Sequence, residues 1–334
     1  MEDKPLYFKL FAHNIPVSGK EKSAIYDLQK GEIVFIPNIL FQIIQDLKQN
    51  PLATIKHQYA PNQPELFESY VDFLIKKDLG FKTKSPESFP EIDLSYQVPA
   101  GIYNAVIESD FEQYDMNLVI NFLDELLCRH LELRLQINQV EEDFLLSFFQ
   151  KINHKSFRSI VVFMEYRAEL WQEDWAIKVF ESCQKIEQII IINCPIAFKS
   201  DQYTDKIIYT TQSIEALSIY KKRYIVNINY FTEALHFNPF YNRKVSIDKA
   251  GKIKNDLRDN HNWGSVEDND LIEVIGSQEF KNIWEASPDN IEGLKDSPLR
   301  YCQFFPFQLS KNEHNIWSVV NSNILQTANE DKLG

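Results

Sequence analysis

The sequence predicts an α/β protein with an α+β module at its N-terminus, and three observations support this. Three short strand-like runs precede three amphipathic helical stretches within residues 1–81. Strand-like runs then alternate with helical stretches of about 10–15 residues across residues 103–229, which indicates βαβ units and a parallel sheet. Finally, apolar residues that alternate around a Lys-Ala-Gly turn predict a β-hairpin within residues 241–256.

The first region, residues 1–81, reads as a winged-helix-like module. Turn residues separate its apolar runs, and apolar residues recur at helical spacing after Pro37, Pro51 and Pro64. The predicted strands are residues 6–12, 23–28 and 32–36, and the third helix ends at Gly80. Three strands and three helices that close in this length suggest a small α+β domain.

The remaining chain divides into a linker and two further regions. Residues 82–102 are rich in proline and serine, which is typical of a linker. In region 103–229 the predicted strands are 104–107, 131–137, 159–164, 186–192, 206–209 and 224–228, and the predicted helices are 115–128, 140–152 and 171–183. Region 230–334 contains the hairpin and a helical stretch at 271–283.

Composition excludes several classes of partner. The formal charge of −13 over 334 residues argues against nucleic acid, because phosphate binding needs a basic surface. No apolar run approaches the roughly 20 residues of a membrane span, and the first residues lack the basic start and apolar core of a secretion signal. Scattered cysteines then imply free thiols in a reducing compartment. We therefore predict a cytoplasmic protein with no nucleic-acid or membrane partner.

An acidic loop is the one candidate for chemistry that the residues themselves supply. Glu108, Asp110, Glu112 and Asp115 follow the first predicted strand of the parallel sheet, and active sites of βα barrels lie at that end of the strands. The loop could hold a divalent metal or act in acid–base catalysis. The alternative, which we favour, is a solvated loop whose aspartate begins a helix. The histidine spacings fit no zinc motif.

The hairpin N-R-K-V-S-I-D-K-A-G-K-I-K-N-D resembles the entry to a SPASM domain, the cysteine-rich tail of many radical S-adenosylmethionine enzymes that modify peptides. In that family the strand is similar to N-R-K-V-C-I-D…G-x-I-K-N-C. Ser246 and Asp256 stand at the two cysteine positions here. The later run I-E-G-L-K-D-S-P-L-R-Y resembles I-x-x-C-K-D-C-E-F-R-Y, with Leu294 and Ser297 at cysteine positions. The resemblance implies a degenerate cluster site.

The region 103–229 is similar to the partial (β/α) barrel of radical S-adenosylmethionine enzymes. That family carries a C-x-x-x-C-x-x-C loop after the first strand, where this chain reads E-S-D-F-E-Q-Y-D. An iron–sulfur cluster needs several thiolates. The resemblance therefore implies a pseudoenzyme of this fold, with no cofactor, no bound metal and no catalytic residue assigned, and it leaves enzymatic activity uncertain.

The order of elements in residues 1–81 resembles the RiPP recognition element, which captures the leaders of ribosomally synthesised and post-translationally modified peptides. In that family the leader adds as a strand to the edge of a three-stranded sheet and lies against the third helix, a mode known as strand augmentation. By position, the resemblance implies a peptide-binding groove in this chain. Its residues would be Val34, Ile36, Phe67, Tyr70, Val71 and Leu74.

The whole chain resembles the grasp-with-spasm peptide maturases, which accompany an ATP-grasp ligase in graspetide biosynthesis. The opening K-L-F-A-H-N-I-P-V and the hairpin carry the resemblance. It implies an accessory protein that binds a precursor's leader and presents the peptide to an ATP-grasp peptide ligase. The alternative is a cofactor-independent or metal-dependent enzyme that modifies the precursor at the barrel mouth. Homo-oligomerisation is left open.

Overall fold

The chain is built from two sets of non-contiguous segments. The structure, a computed structural model, describes residues 4–59, 64–137, 142–168, 175–200, 202–203, 205–217, 223–313 and 316–320. Its first unit comprises residues 1–97, 222–239 and 286–334, and its second unit comprises residues 98–221 and 240–285. The predicted boundaries after residues 81, 102 and 229 divide the chain into consecutive pieces, so the two divisions differ.

Up to residue 97, the first unit contains two small antiparallel sheets and the three predicted helices. Its elements up to residue 97 are β1 (Tyr7–Leu10), β2 (Asn14–Val17), β3 (Ser23–Asp27), β4 (Glu32–Ile36), α1 (Asn38–Leu47), α2 (Leu52–Tyr59), α3 (Pro64–Lys76) and β5 (Gly80–Thr83). Strands β2, β3 and β4 form a three-stranded sheet in that order, while β1 pairs with β5.

One part of the N-terminal prediction is wrong. The run at residues 6–12 does not supply the first strand of the three-stranded sheet, because the chain turns after β1. The Asn14 N–H donates to the Phe11 carbonyl at 2.9 Å, and the Asn14 side chain donates to the Leu79 carbonyl at 2.9 Å. Strand β2 then takes the sheet position. The sequence pattern did not predict β2, because its Pro16 argues against a strand. β2 lies at the edge of the sheet, where proline is tolerated. The winged-helix classification remains a prediction.

Both faces of the three-stranded sheet are covered. Alternation along β3 sends Ile25 to a core built with α1 and α3, and Tyr26 to a second core on the opposite face. The second core contains Phe231 from a distant helix and Tyr301 from the C-terminal stretch. The Tyr26 hydroxyl donates to the Pro298 carbonyl at 2.8 Å. Sequence-distant segments therefore complete the hydrophobic core of the first unit.

The second unit is a mixed sheet with helices in the connections. Its elements up to residue 221 are β6 (Asn104–Ser109), α4 (Met116–Glu125), β7 (His130–Leu135), α5 (Glu142–Asn153), β8 (Ser159–Glu165), α6 (Trp175–Ser182), β9 (Ile186–Ile192), β10 (Phe198–Lys199), β11 (Ile207–Tyr209) and α7 (Ile214–Leu217). The remaining elements of the chain are α8 (Ile228–His236), β12 (Lys244–Ile247), β13 (Ile253–Lys254), α9 (Leu271–Gly276), α10 (Gln278–Lys281), β14 (Leu309–Lys311) and β15 (Trp317–Val319).

A parallel core confirms the predicted α/β class. Within the described residues the strand order is β10-β11-β9-β8-β7-β6-β12-β13, and the pairs from β11 to β12 are parallel. The predicted hairpin forms as β12 and β13, which are antiparallel. Its turn places Gly251 at a φ of 73°, which favours glycine. Because β12 also pairs with β6, the hairpin extends the parallel sheet.

Two further predictions differ from the structure. The run at 224–228 makes only an isolated bridge at Tyr224 and then enters α8, because the Asn227 side chain accepts from the Tyr230 N–H at 2.9 Å and caps the helix. The stretch 271–283 is two short helices, since Ser277 ends α9 and caps α10. The predicted starts of the helices at residues 140 and 171 lie outside the described residues. No described helix is long and apolar enough to cross a membrane.

Candidate functional site

The six residues predicted to bind a peptide lie on β4 and α3 as expected, but their exposure differs. Ile36, Phe67, Val71 and Leu74 are buried in the core between the three-stranded sheet and the helices. Val34 and Tyr70 are only partly buried and pack against the same core. The four buried side chains therefore belong to the core. Of the six residues, Val34 and Tyr70 are the ones with exposed surface that a peptide could contact.

Strand β4 also has an open edge. It pairs with β3 on one side, and the described residues provide no strand partner on its other side. An unpaired edge presents backbone donors and acceptors to any extended segment that lies beside it. This edge belongs to a sheet whose two faces are packed, so its backbone groups are held in place before a partner arrives.

The two hairpin residues predicted to occupy degenerate cluster positions belong to a buried polar network. Ser246 is buried on β12, and its hydroxyl lies 3.4 Å from the Asn255 carbonyl oxygen that it can donate to. Asp256 is also buried, and its Oδ2 is 2.6 Å from Lys244 Nζ while its Oδ1 is 2.6 Å from Arg258 Nε. Both positions therefore carry side chains, a hydroxyl and a carboxylate, that contact protein partners.

The charge state of Asp256 is set by these partners. Burial by itself would raise the pKa of the carboxyl, but the Lys244 ammonium and the Arg258 guanidinium outweigh that effect. The pKa of Asp256 consequently lies well below its usual range. The side chain is an ion-paired carboxylate at neutral pH.

The two later degenerate positions belong to the first unit rather than to the second. Leu294 is buried, and Ser297 is half-buried, with its hydroxyl accepting from the Leu299 N–H at 3.2 Å. The four cysteines are free, and each is buried. Across the described stretches of chain no three His, Cys, Asp or Glu side chains converge in an arrangement that could hold a metal ion.

One face of the parallel sheet carries polar side chains, and we call it the polar face. Strand alternation and register place Glu108 beside Arg134, Val106 beside Glu132, and Asn104 beside His130 on this face. The residues between them are buried and apolar on β7, and they point to the other side. A sheet buried on both faces would be apolar on both, so the polar face marks where solvent or a ligand meets the sheet.

A pocket of about 260 Å³ opens at the carboxyl end of the polar face, and we call it the strand-end pocket. Side chains from four neighbouring parallel strands and from the loops after them converge there. Its lining includes Glu108, Arg134, Gln136, Phe163, Glu165, Asn193, Glu215 and Lys249. Ligands of parallel α/β sheets bind outside the carboxyl ends of the strands, and this pocket occupies that place.

The strand-end pocket holds a carboxyl group whose proton affinity is perturbed. Desolvation by burial raises the pKa of Glu108, and the nearby Arg134 guanidinium only partly offsets this. Arg134 Nη1 lies 3.5 Å from Glu108 Oε1, whereas Arg134 Nε makes a shorter contact of 2.7 Å with Glu132 Oε1. Arg134 is therefore committed chiefly to Glu132. A raised pKa favours the protonated form of the carboxyl, which can act as a proton donor.

The other residues of the predicted acidic loop have structural roles or lie in solvent. Asp110 is buried, accepts from the Glu112 N–H at 3.0 Å and lies 3.3 Å from Lys249 Nζ. These hydrogen bonds and the lysine overcome burial and lower the pKa of Asp110. Asp115 caps α4 by accepting from the Asn117 N–H at 2.9 Å, as the favoured alternative predicts. Glu112 is exposed. Only Glu108 lines the pocket.

Sequence reasoning did not select the basic residues of this pocket. Arg134 falls in the alternating run L-E-L-R-L-Q-I, where the polar positions share one face, and this alternation was the available signal. Lys249 lies in the hairpin turn, and its Nζ is 2.8 Å from Gln136 Oε1. It reaches the pocket only because β12 pairs with β6, a long-range pairing that spacing along the chain does not reveal.

We expect Glu108→Gln to raise the Tm at pH 7.5. Because the folded state raises the pKa of Glu108, the wild type loses stability as pH rises through the interval above the ordinary carboxyl value. The neutral glutamine avoids that loss, so the difference in Tm should shrink toward zero at pH 4. Calorimetric melting at the two pH values measures it, with the exposed Glu112→Gln as a control. A lower Tm for Glu108→Gln at pH 7.5 would contradict the assignment.

Comparisons with known proteins give little sequence relationship. No protein-family model matches the chain, and no curated protein is significantly similar to it in sequence. Among solved structures the chain is similar to the crystal structure of Streptococcus suis SuiB bound to S-adenosylmethionine, with 10% identity over 88% of this chain and 94% of SuiB. The TM-score of that match is 0.25. A similarity at this level supports no conclusion about function.

Proposed function

We propose that this protein binds a precursor peptide and takes part in its maturation as an accessory protein. The observation that carries the proposal is the open edge of β4, a strand on which Val34 is only partly buried, while Tyr70 of α3 is partly buried and packs against the same core. An extended leader segment would add beside β4, with main-chain hydrogen bonds supplying affinity and the two side chains supplying register. The resemblance of the whole chain to peptide maturases supports the same role.

The presentation step is part of the proposal. An ATP-grasp ligase would act on the peptide while its leader stays on β4, so this chain would supply binding and orientation but no bond-making group. Asp256 and Ser246, which stand at cluster positions, are engaged with Lys244 and Asn255. These contacts are consistent with a chain that keeps the β-hairpin but lacks the cysteine thiolates at these two positions.

The test uses the full chain, because Tyr26 on the sheet packs against Phe231 and sequence-distant residues complete the core. Fluorescein-labelled leader segments of short peptides encoded beside its gene are titrated by fluorescence polarisation. We expect Tyr70→Ala to weaken binding by roughly 10-fold or more, since one buried aromatic contributes about 1.5–3 kcal/mol. Ile75→Ala on the same helix α3 is the control and should bind like the wild type.

Two proline substitutions test the edge itself. Successive N–H groups of a strand point to opposite sides, so one of Val34→Pro and Phe35→Pro removes a bond to β3 while the other removes an outward donor. We expect the variant that keeps its fold by circular dichroism to lose peptide affinity. Unchanged affinity in a folded proline variant, together with unchanged affinity in Tyr70→Ala, would place recognition elsewhere.

A second function is favoured by one observation, the raised pKa of Glu108 in the strand-end pocket. This chain would then itself modify the bound peptide by acid–base chemistry. Incubation of the precursor with the protein alone, without ligase or nucleotide, distinguishes the two functions by mass spectrometry. A mass change that disappears in Glu108→Gln would establish the enzyme, and an unchanged mass in the presence of tight binding favours the accessory role.

A further inference from the structure

Strand register arranges side chains of the strand-end pocket in two rows. Glu108, Arg134 and Phe163 are register partners on the consecutive parallel strands β6, β7 and β8, and all three line the pocket. Gln136 and Glu165 also line it, and they come two residues after Arg134 and Phe163 and so on the same face. Because β7 lies between β6 and β8, the backbones that carry Glu108 and Glu165 are two strand spacings apart, or about 10 Å.

The two basic residues of the pocket are already paired. Arg134 Nε lies 2.7 Å from Glu132 Oε1. Lys249 Nζ lies 3.3 Å from Asp110 Oδ2 and 2.8 Å from Gln136 Oε1. Glu132 and Asp110 are not among the residues that line the pocket. Each cation therefore has a counterion outside the lining, and the carboxylates of the lining are not needed to neutralise it.

The carboxylates of the pocket are less well paired than its cations. Glu165 is exposed, and among the residues that the structure describes its carboxylate has no ion-pair or hydrogen-bond partner. The ion pair of Glu108 with Arg134 is long, at 3.5 Å, and Arg134 lies closer to Glu132. Glu215, an exposed residue, adds a third carboxylate to the lining. The unpaired charge of the pocket is therefore negative, which favours a cationic ligand.

The spacing of these carboxylates favours a broad organic cation over a metal ion. Among the described residues no three His, Cys, Asp or Glu side chains converge closely enough to hold a metal. A guanidinium is planar and carries five N–H donors, so its opposite edges can bond to carboxylates that stand apart. Phe163 is half-buried and lies between the strand positions of Glu108 and Glu165. An aromatic ring there offers a guanidinium a surface for stacking, which a compact ammonium uses less well.

We propose that the strand-end pocket binds a guanidinium group carried on an aliphatic stem. Its N–H groups donate to Glu165 and Glu108, and its plane lies against Phe163. The pocket measures about 260 Å³, below the roughly 300–1,000 Å³ of sites that enclose a whole drug-sized molecule, so it suits one side chain of the size of arginine. As a site for an arginine of the precursor peptide it rests on the proposed function, whereas as a site for a free guanidino compound it does not.

Two blocked amino acids test the proposal, because citrulline has nearly the shape of arginine but no charge. Calorimetric titration of the full chain should show Nα-acetylarginine methylamide binding about 10-fold more tightly than Nα-acetylcitrulline methylamide. Glu165→Gln should weaken the arginine compound by about 3- to 5-fold, since solvent screens an exposed carboxylate, and leave the citrulline compound within about 2-fold. Glu187→Gln, the same change at an exposed residue near the amino end of β9, is the control and should bind like the wild type.

A third probe, n-propylguanidine, identifies the source of the group because it lacks the peptide bonds. Tighter binding of Nα-acetylarginine methylamide than of n-propylguanidine would indicate a residue of a peptide, and the reverse order would indicate a free guanidino compound.

Several results would overturn this site. They are equal affinity for the arginine and citrulline compounds, no binding of either, and tighter binding of Nα-acetyllysine methylamide than of the arginine compound. Unchanged arginine affinity in Glu165→Gln would show that the probe binds outside the pocket. The probes contain no leader segment, and leader binding at β4 is measured separately with Tyr70→Ala. Either proposal can therefore fail without the other.

Discussion

Asp256→Asn is expected to lower the free energy of unfolding by about 3–5 kcal/mol, one of the two largest effects that we predict for a single substitution. Lys244 and Asp256 are each only 8% exposed and lie 2.6 Å apart. The asparagine keeps the shape of the aspartate but removes its charge, which leaves the Lys244 ammonium buried without a counterion. Because Lys244 lies on β12 and Asp256 comes shortly after β13, the loss of the ion pair should destabilise both the hairpin and the parallel sheet. Urea denaturation at pH 7 measures it.

Two further variants separate the effect of the buried charge from the effect of the substitution. Asp78→Asn breaks an exposed ion pair with Lys30, and because solvent screens such a pair this variant should lose far less stability than Asp256→Asn. Lys244→Met combined with Asp256→Asn removes both charges and should be more stable than Asp256→Asn alone. The interpretation fails if the double variant is less stable than the single one. The difference between wild type and Asp256→Asn should also shrink in acid, because a carboxyl with a lowered pKa loses its contribution as pH falls.

Phe231→Ala is expected to cost about 3–5 kcal/mol, as the truncation of a fully buried aromatic residue does. Phe231 on α8 is 1% exposed, and its ring centroid lies 5.2 Å from that of Tyr26 and 5.3 Å from that of Tyr301. It therefore sits between the three-stranded sheet and the C-terminal stretch. The alanine would leave a cavity between segments that are far apart in sequence. Urea denaturation of the full chain measures the loss.

The exposed Leu66→Ala on α3 is the control for this prediction, and it should change stability by less than about 0.5 kcal/mol. A loss of stability in Phe231→Ala no larger than the loss in Leu66→Ala would contradict the packing of α8 on the sheet. The same packing bears on experiments with fragments. A chain cut after residue 97 would expose the Tyr26 face of the sheet, so we expect its stability to fall well below that of the full chain.

The candidate sites could be read from the sequence only in part. The alternation along β6 and β7 was visible. The acidic loop was assigned to the correct end of a strand, but Glu108 was wrongly placed in it, because β6 continues to Ser109. Local hydrogen bonds and ion pairs determine which of its carboxylates lines the pocket. Asp110 pairs with Lys249, Asp115 caps a helix, and Glu108 lies on the polar face and lines the pocket. In the peptide-binding prediction, helical periodicity correctly identified the apolar side of α3. Periodicity does not distinguish a residue in the core from one that borders it. Only the packing shows that Phe67 is buried whereas Tyr70 is partly exposed.

What the sequence by itself determined is the local structure and the class of fold. Period-2 and period-3.6 patterns predicted most strands and helices, and the alternation of the two predicted a parallel sheet, because these patterns express which side of an element is apolar. Only the tertiary structure decided what covers that side. It brought β12 beside β6, more than a hundred residues away, and Phe231 onto the face of Tyr26. It also separated β1 from β2, which are consecutive in the chain but pair with β5 and β3 respectively. Contacts between distant segments depend on which apolar surfaces fit together, and no local pattern records that choice.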